Sequence, residues 1–398
     1  MVVLLPRGMG ARIWSELVRD ATQSAVLHIC SGFAKQDIYS QLVRHLCNRG
    51  VRQWVFVPVR TSEEADRQPA DVPGMVQYRF EHVLHPLHRI LFRRKIRTVY
   101  ASLRSTFDLA QVEMVHAHFL YSDGAVALRL KQSLRLPYVV AVRNTDLNYF
   151  MRYRPDLRSL ANRVLDEAAQ IVFLSPAYKQ ELLKRVGKGL RARLEPKAVI
   201  IPNGLVSHWL AGPPAGSAGR SGPLRLLYVG DFSRNKNLRN TLRAVTRLAA
   251  SRAVQLTLVG GGGNAEHEVR RALDSGAYPF AKYLGRIDGR DELRTIYRDH
   301  DIFVMPSFTE TFGVAYIEAL SQGLPVVHSR GQGVDGLLPD STVSEAVDPR
   351  DPENIAEKIA ALAERREQVR EACIQSAQCF DWKMIAKRYT ELYRSTRS

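Results

Sequence analysis

Between residues 26 and 205, short apolar runs (AVLHIC, QWVFVPV, VEMVHAHF, PYVVAV and QIVFLS) are separated by amphipathic stretches with helical spacing. Parallel strands need long crossover connections, usually helices, so this alternation predicts a parallel sheet covered by helices. After VIIPNGL the pattern lapses in AGPPAGSAGRSGP, residues 211–223, and restarts as LRLLYVG, VQLTLVG, AKYLG, DIFVMPS and LPVVHS. The chain therefore predicts an α/β protein of two Rossmann-like, doubly wound domains facing each other across a cleft. They span 26–205 and 224–380, joined by a linker at 206–223. An extension, 1–25, precedes them, and a terminal helix, 381–398, follows. A length of 398 residues suits two cores, and 45% apolar residues can fill both. In such sheets ligands bind beyond the carboxyl ends of the strands, so strand-end residues carry the functional reading.

The chain holds 57 Lys and Arg against 40 Asp and Glu, a formal charge of +17. Residues 1–210 contain 31 of the basic and 17 of the acidic residues, so the excess lies in the first half. No RNA-binding aromatic or glycine-clamp motif accompanies it, which argues against a nucleic-acid partner. The four cysteines, Cys30, Cys47, Cys373 and Cys379, match neither a zinc site nor a redox motif and read as reduced, packed thiols. With no apolar run long enough to span a membrane and no secretory signal pattern, the expected location is cytoplasmic.

The stretch PSFTETFGVAYIEALSQGLPVV, residues 306–327, keeps two carboxylates, Glu310 and Glu318, in otherwise uncharged surroundings. VAYIEALSQG has helical spacing. Glu310 is therefore expected in the loop after a strand, with Phe312, Gly313 and Val314 opening a helix whose free amides favour an anion. Glu318 is expected about a turn inside. Eight helical positions differ by roughly 80°, poor geometry for sharing one metal ion, so the pair is read as gripping two parts of one ligand. In YVGDFSRNKN, Lys236 and Arg234 follow the strand ending at Gly230. GGGGNA, residues 260–265, formally fits a dinucleotide fingerprint. The acidic residue expected after the next strand is missing, however, since Arg286 follows AKYLG, so no nicotinamide cofactor is expected.

Together the E-x7-E string, YVGDFSRNKN, the GGGGN turn, YLGRID, SPAYKQELL and IPNGL resemble glycosyltransferase family 4, the retaining group 1 enzymes with the GT-B fold. The resemblance implies a nucleotide-sugar co-substrate, a UDP- or GDP-sugar, with no other cofactor and no metal. It implies that Glu318 holds the ribose and Glu310 the transferred sugar, while the amides of Phe312, Gly313 and Val314 line sugar and diphosphate. Gly230 and Gly261 would border the donor. Lys236 corresponds to the family's phosphate lysine. The family arginine directly after Gly230 is replaced by Asp231, and Arg234 is the candidate substitute. His118, at the end of VEMVHAHF, matches a histidine near the donor sugar, so Glu310, Lys236 and His118 are the expected catalytic residues. His116, Arg143 and Asp146 are acceptor-side candidates, and Ser175 reads as a helix N-cap.

The implied activity is retaining, metal-independent transfer of a hexosyl group to a glycan or lipid-linked acceptor, in bacterial cell-surface polysaccharide synthesis. The alternatives are another GT-B enzyme, such as a nucleotide-sugar epimerase, or a non-catalytic binding protein for sugar or nucleic acid. PLHRILFRRKIRTVYASL, residues 86–103, joins apolar residues at helical spacing to Arg89, Arg93, Arg94, Lys95 and Arg97. It reads either as an ordinary domain helix or as a peripheral contact with anionic lipid on the inner face of the cell membrane.

Overall fold

The computed structural model describes residues 25–212, 222–338 and 342–397. The expected extension, residues 1–24, and the centre of the expected linker, 213–221, lie outside them. Contacts divide the chain into two compact units. The first comprises the described residues up to Val172, with Ala192–Val199 and the chain from Ala386 onward. The second comprises Phe173–Arg191 and Ile200–Ile385.

The first sheet has seven strands: β1 (Ala25–Ile29), β2 (Gln53–Val59), β3 (Val76–His82), β4 (Val112–Ala117), β5 (Tyr138–Ala141), β6 (Gln170–Phe173) and β7 (Ala198–Ile200). Their order is β3-β2-β1-β4-β5-β6-β7. The second has six: β8 (Leu224–Gly230), β9 (Val254–Gly260), β10 (Ala281–Gly285), β11 (Ile302–Val304), β12 (Val326–Ser329) and β13 (Ser344–Val347), in the order β10-β9-β8-β11-β12-β13. Strands such as β1, β2 and β5 are buried at every position, as a parallel strand covered on both faces must be. Each fully buried aliphatic side chain, Leu27 or Ile29 for example, contributes roughly 1.5–3 kcal/mol.

Sheet order matters for function. Strands run outward in opposite directions from the β1/β4 pair in one sheet and from the β8/β11 pair in the other. These are the switch points, where the loops after neighbouring strands diverge and leave a crevice. The last helix, Trp382–Arg397, buries Trp382, Ile385, Tyr389 and Leu392, which recur at helical spacing along FDWKMIAKRYTELYRS. Cys30 and Cys373 are packed as expected, whereas Cys379 is exposed. None of the described helices is long and apolar enough to cross a membrane.

Candidate functional site

In the second unit the loops after β8 and β11 meet at the switch point. Asn235 ties them together: its Nδ2 donates to the Thr309 carbonyl at 2.8 Å, and its Oδ1 accepts from the Thr309 amide at 3.1 Å. Asn237, held at φ 59°, donates to the carbonyls of Pro306 and Pro349 at 2.9 and 2.6 Å. This double latch brings Lys236 Nζ to 2.6 Å from Glu310 Oε2. Both side chains are mostly shielded from solvent, at 19% and 15% exposure. Glu310 is braced further, since its amide donates to Gln332 Oε1 at 3.1 Å and its carbonyl accepts from the Gly333 amide at 2.7 Å.

The glycine turn lies alongside. Gly230 and Gly260 are register partners, and a Cβ on Gly260 would sit 2.0 Å from the Gly230 carbonyl oxygen. Gly260 is also at φ 125°, so only glycine fits there. Arg234 is exposed, and its amide donates to Asn264 Oδ1 at 2.8 Å, coupling the lysine loop to this turn. Asp231 Oδ1 accepts from the Ser233 amide at 2.8 Å. The residue that departs from the family pattern thus shapes the turn. Gly261 follows Gly260 at φ 145°, next to the Tyr283 hydroxyl.

Glu310 lies in the loop and Glu318 in the helix Val314–Ser321, as the spacing predicts. Gly313 caps that helix at φ 80°, where a Cβ would lie 2.4 Å from the Tyr316 ring. The Phe312 ring is buried against Phe380. The amides of Phe312, Gly313 and Val314 find no acceptor among the described residues, leaving the positive end of the helix available. Glu318 accepts a hydrogen bond from the Tyr297 hydroxyl at 3.2 Å. Burial raises its pKa to about 7, with the Tyr297 bond and Arg290 opposing.

Ser175 caps the helix Pro176–Arg185 through the Tyr178 amide. Its hydroxyl also donates to the Thr311 carbonyl at 3.4 Å, within the same unit.

The candidates of the first unit are buried around the ends of β1, β4 and β5. His116 and His118 stack with centroids 4.0 Å apart. His116 Nδ1 lies 2.7 Å from the Tyr393 hydroxyl, and His118 Nε2 lies 3.0 Å from His28 Nδ1. Sequence reasoning missed His28. Its period within β1 is visible, but its pairing with His116 depends on strand register. Burial lowers the pKa of all three: His28 falls to about 3, and His116 and His118 fall well below the usual histidine range. Each keeps one nitrogen without a hydrogen-bond partner. Arg143 is 6% exposed; its backbone amide donates to Asp146 Oδ2 at 2.8 Å, and its Nε lies 3.4 Å from the His118 carbonyl. Asp146 also accepts from the amides of Leu120 and Tyr121, so its carboxylate gathers the strand-end loops. Burial raises its pKa to about 6 against those bonds.

Among the described residues, these three histidines form the one cluster with ligand atoms close enough for a metal ion, all within 4.8 Å. The Arg143 guanidinium disfavours positive charge on His116 and His118, which opposes a cation at this cluster.

A family model described as glycosyl transferases group 1 matches residues 223–365, and one described as Glycosyltransferase Family 4 matches residues 39–207. A glycogen synthase of Mycobacterium tuberculosis is 25% identical over 295 residues, covering 71% of this chain and 68% of that protein. A D-inositol 3-phosphate glycosyltransferase of Corynebacterium kroppenstedtii is 27% identical over 306 residues, 70% of this chain and 66% of the relative. Among solved structures, a sucrose-phosphate synthase from Thermosynechococcus elongatus superposes with a TM-score of 0.73 at 21% identity, covering 94% of this chain and 98% of that one. Anabaena HepE in complex with UDP and glucose gives 0.64 at 16% identity, covering 94% and 100%.

Proposed function

This chain belongs to glycosyltransferase family 4, group 1, with the GT-B fold, and from that premise we propose that it transfers a hexosyl group from a nucleotide-sugar to an acceptor hydroxyl with retention of anomeric configuration. The observation that carries this reading is the convergence of Lys236 and Glu310 at the β8/β11 switch point, beside the unpartnered amides of Phe312 to Val314. A cation, a carboxylate and a helix N-terminus converging on one crevice suit a ligand with both a diphosphate and sugar hydroxyls.

In the proposed mechanism the bond from the anomeric carbon to the diphosphate oxygen breaks while the acceptor oxygen attacks the same face. The acceptor proton passes to the departing phosphate oxygen. Negative charge grows on that phosphate, and Lys236, with Arg234 beside it, stabilises it more in the transition state than in the ground state. Glu310 orients the transferred sugar, Glu318 holds the ribose, and Gly230 and Gly261 give the donor close backbone approach. His118 is the proposed sugar-side residue of the first unit and Arg143 an acceptor-side cation. His116 and Asp146 act as positioning residues through Tyr393 and the strand-end amides. No step runs through a metal.

The proposed donor is a UDP- or GDP-sugar; solved neighbours in complex with UDP and UDP-glucose support the former. The proposed acceptor is a glycan or lipid-linked saccharide of cell-surface polysaccharide assembly, met in the cytoplasm.

The test is calorimetry against a panel of nucleotide-sugars, followed by product analysis with the donor that binds. Selective binding and a product with the donor's anomeric form are expected. Conversion of the donor to an epimer without acceptor, or inversion in the product, would overturn the reading.

A further inference from the structure

The basic segment 86–103 divides in two. The helix Phe92–Thr106 turns Ile96, Val99 and Leu103 inward. It also turns in Lys95, which is 7% exposed and donates to Ser122 Oγ at 2.6 Å, so Lys95 is not the surface cation its sequence position suggests. What stays outside is the turn before the helix, where Leu87, Ile90 and Leu91 are 63%, 75% and 43% exposed. Tyr149 and Tyr153, at 55% and 58%, come from a second segment. The two segments touch: Arg154 Nη1 donates to the Arg89 carbonyl at 3.1 Å, and Phe92 packs on Phe150 with centroids 5.6 Å apart. Eight large hydrophobic side chains are exposed among the described residues, and five of them sit on this tip.

Beside the tip lies a groove of about 500 Å³, lined by Arg93, Arg97, Arg129 and Arg163 over Ile96 and Leu160. Its carboxylate, Asp156, is taken up by Arg154 through bonds of 2.8 and 2.7 Å. None of the four lining arginines pairs with a carboxylate among the described residues. Arg93 is near enough to Asp156 to influence its charge, and Arg129 lies over the Tyr100 ring at 4.8 Å. With no direct carboxylate bond, the four guanidiniums suit several anionic oxygens, while five exposed apolar side chains beside them suit hydrocarbon. A soluble phosphate would account for the groove and leave the tip unexplained. A lipid interface with anionic headgroups accounts for both.

We propose that this tip and groove form one docking surface for an anionic bilayer, with Leu87, Ile90, Leu91, Tyr149 and Tyr153 entering the interface and the arginines holding lipid phosphates. This surface belongs to the first unit alone and is independent of sugar transfer.

The experiment is sedimentation of the full chain with vesicles of phosphatidylcholine alone or with phosphatidylglycerol, at 50 and 300 mM salt. Binding is expected only with the anionic lipid, falling at least tenfold at high salt. Leu87→Ser with Ile90→Ser, and separately Arg97→Glu with Arg163→Glu, should each weaken binding at least tenfold with unchanged melting temperature. Equal binding to both vesicle types, or none to either, overturns the proposal. So does undiminished binding by the tip variant, or a concentration-dependent dimer, lost in that variant, in place of vesicle binding. Stabilisation by glycerol phosphate without vesicle binding also overturns it.

Discussion

Lys236 Nζ and Glu310 Oε2 are 2.6 Å apart, so two side chains proposed to grip different parts of the donor already form an ion pair in the free protein. A diphosphate must therefore compete with Glu310 for the ammonium. The pair holds both groups at the switch point before the ligand arrives, reducing the reorganisation left for the reaction itself.

Lys236→Ala is expected to lower kcat about 100-fold or more, while donor Kd rises less than tenfold, because the charge it answers grows as the bond breaks. Steady-state kinetics with calorimetry separate the two. Equal losses in both would assign Lys236 to ground-state binding only.

Glu318→Ala should weaken donor binding at least tenfold, about 1.4 kcal/mol. The Glu318 pKa of about 7 adds a pH signature. The ionised carboxylate is the form that accepts from ribose hydroxyls, so donor affinity rises from pH 6 to pH 8, and Glu318→Gln flattens that rise. The same raised pKa makes its contribution to stability present below its unfolded value and lost as pH climbs through 7. Glu318→Gln should accordingly melt roughly 2–4 °C higher than the parent at pH 8 and equally at pH 4. Identical pH profiles for parent and variant would refute this account.

The three buried histidines give the opposite sign. Their folded pKa values are depressed, so the stability they confer is present above the ordinary histidine pKa and lost as pH falls below it. Each contributes up to about 1.4 kcal/mol per pH unit in that range. The first unit is expected to lose stability between pH 6.5 and 5, and His28→Gln to make that loss shallower. Calorimetric melting across this range reads it directly, and an unchanged slope in the variant would sink the assignment.

Turnover in excess chelator should stay within twofold of the untreated value. Loss of activity that returns with magnesium or manganese would show that the metal-free mechanism is wrong.

Gly260→Ala should cost at least about 2 kcal/mol, since its Cβ would enter the Gly230 carbonyl at a positive φ. Gly262, at φ 75° with no heavy atom within 4 Å of where a Cβ would sit, should tolerate alanine better. Chemical denaturation of both variants checks the order, and equal stability would contradict the close packing.

The sequence by itself determined the local units. Apolar runs alternating with helical spacing specify two parallel α/β sheets, and VAYIEALSQG places Glu310 in a loop and Glu318 on a helix, because these periods follow from backbone geometry. Ser175 at its cap and the buried stripe of Trp382, Ile385 and Tyr389 were legible for the same reason. The edge strands β3 and β13 were not: SEAV carries too little apolar pattern, and VQYRFEH alternates Val76, Tyr78 and Phe80 with polar residues instead of forming the continuous apolar run that marks the central strands. Only the tertiary structure decided which distant residues meet. Lys236 and Glu310, 74 positions apart, pair because β8 and β11 are neighbours in the sheet. His28 joins His116 and His118 because β1 lies beside β4 in a particular register, and Lys95 turns inward where Ser122 offers its hydroxyl. Strand order and register arise from long-range packing of whole sheets, which no local spacing encodes.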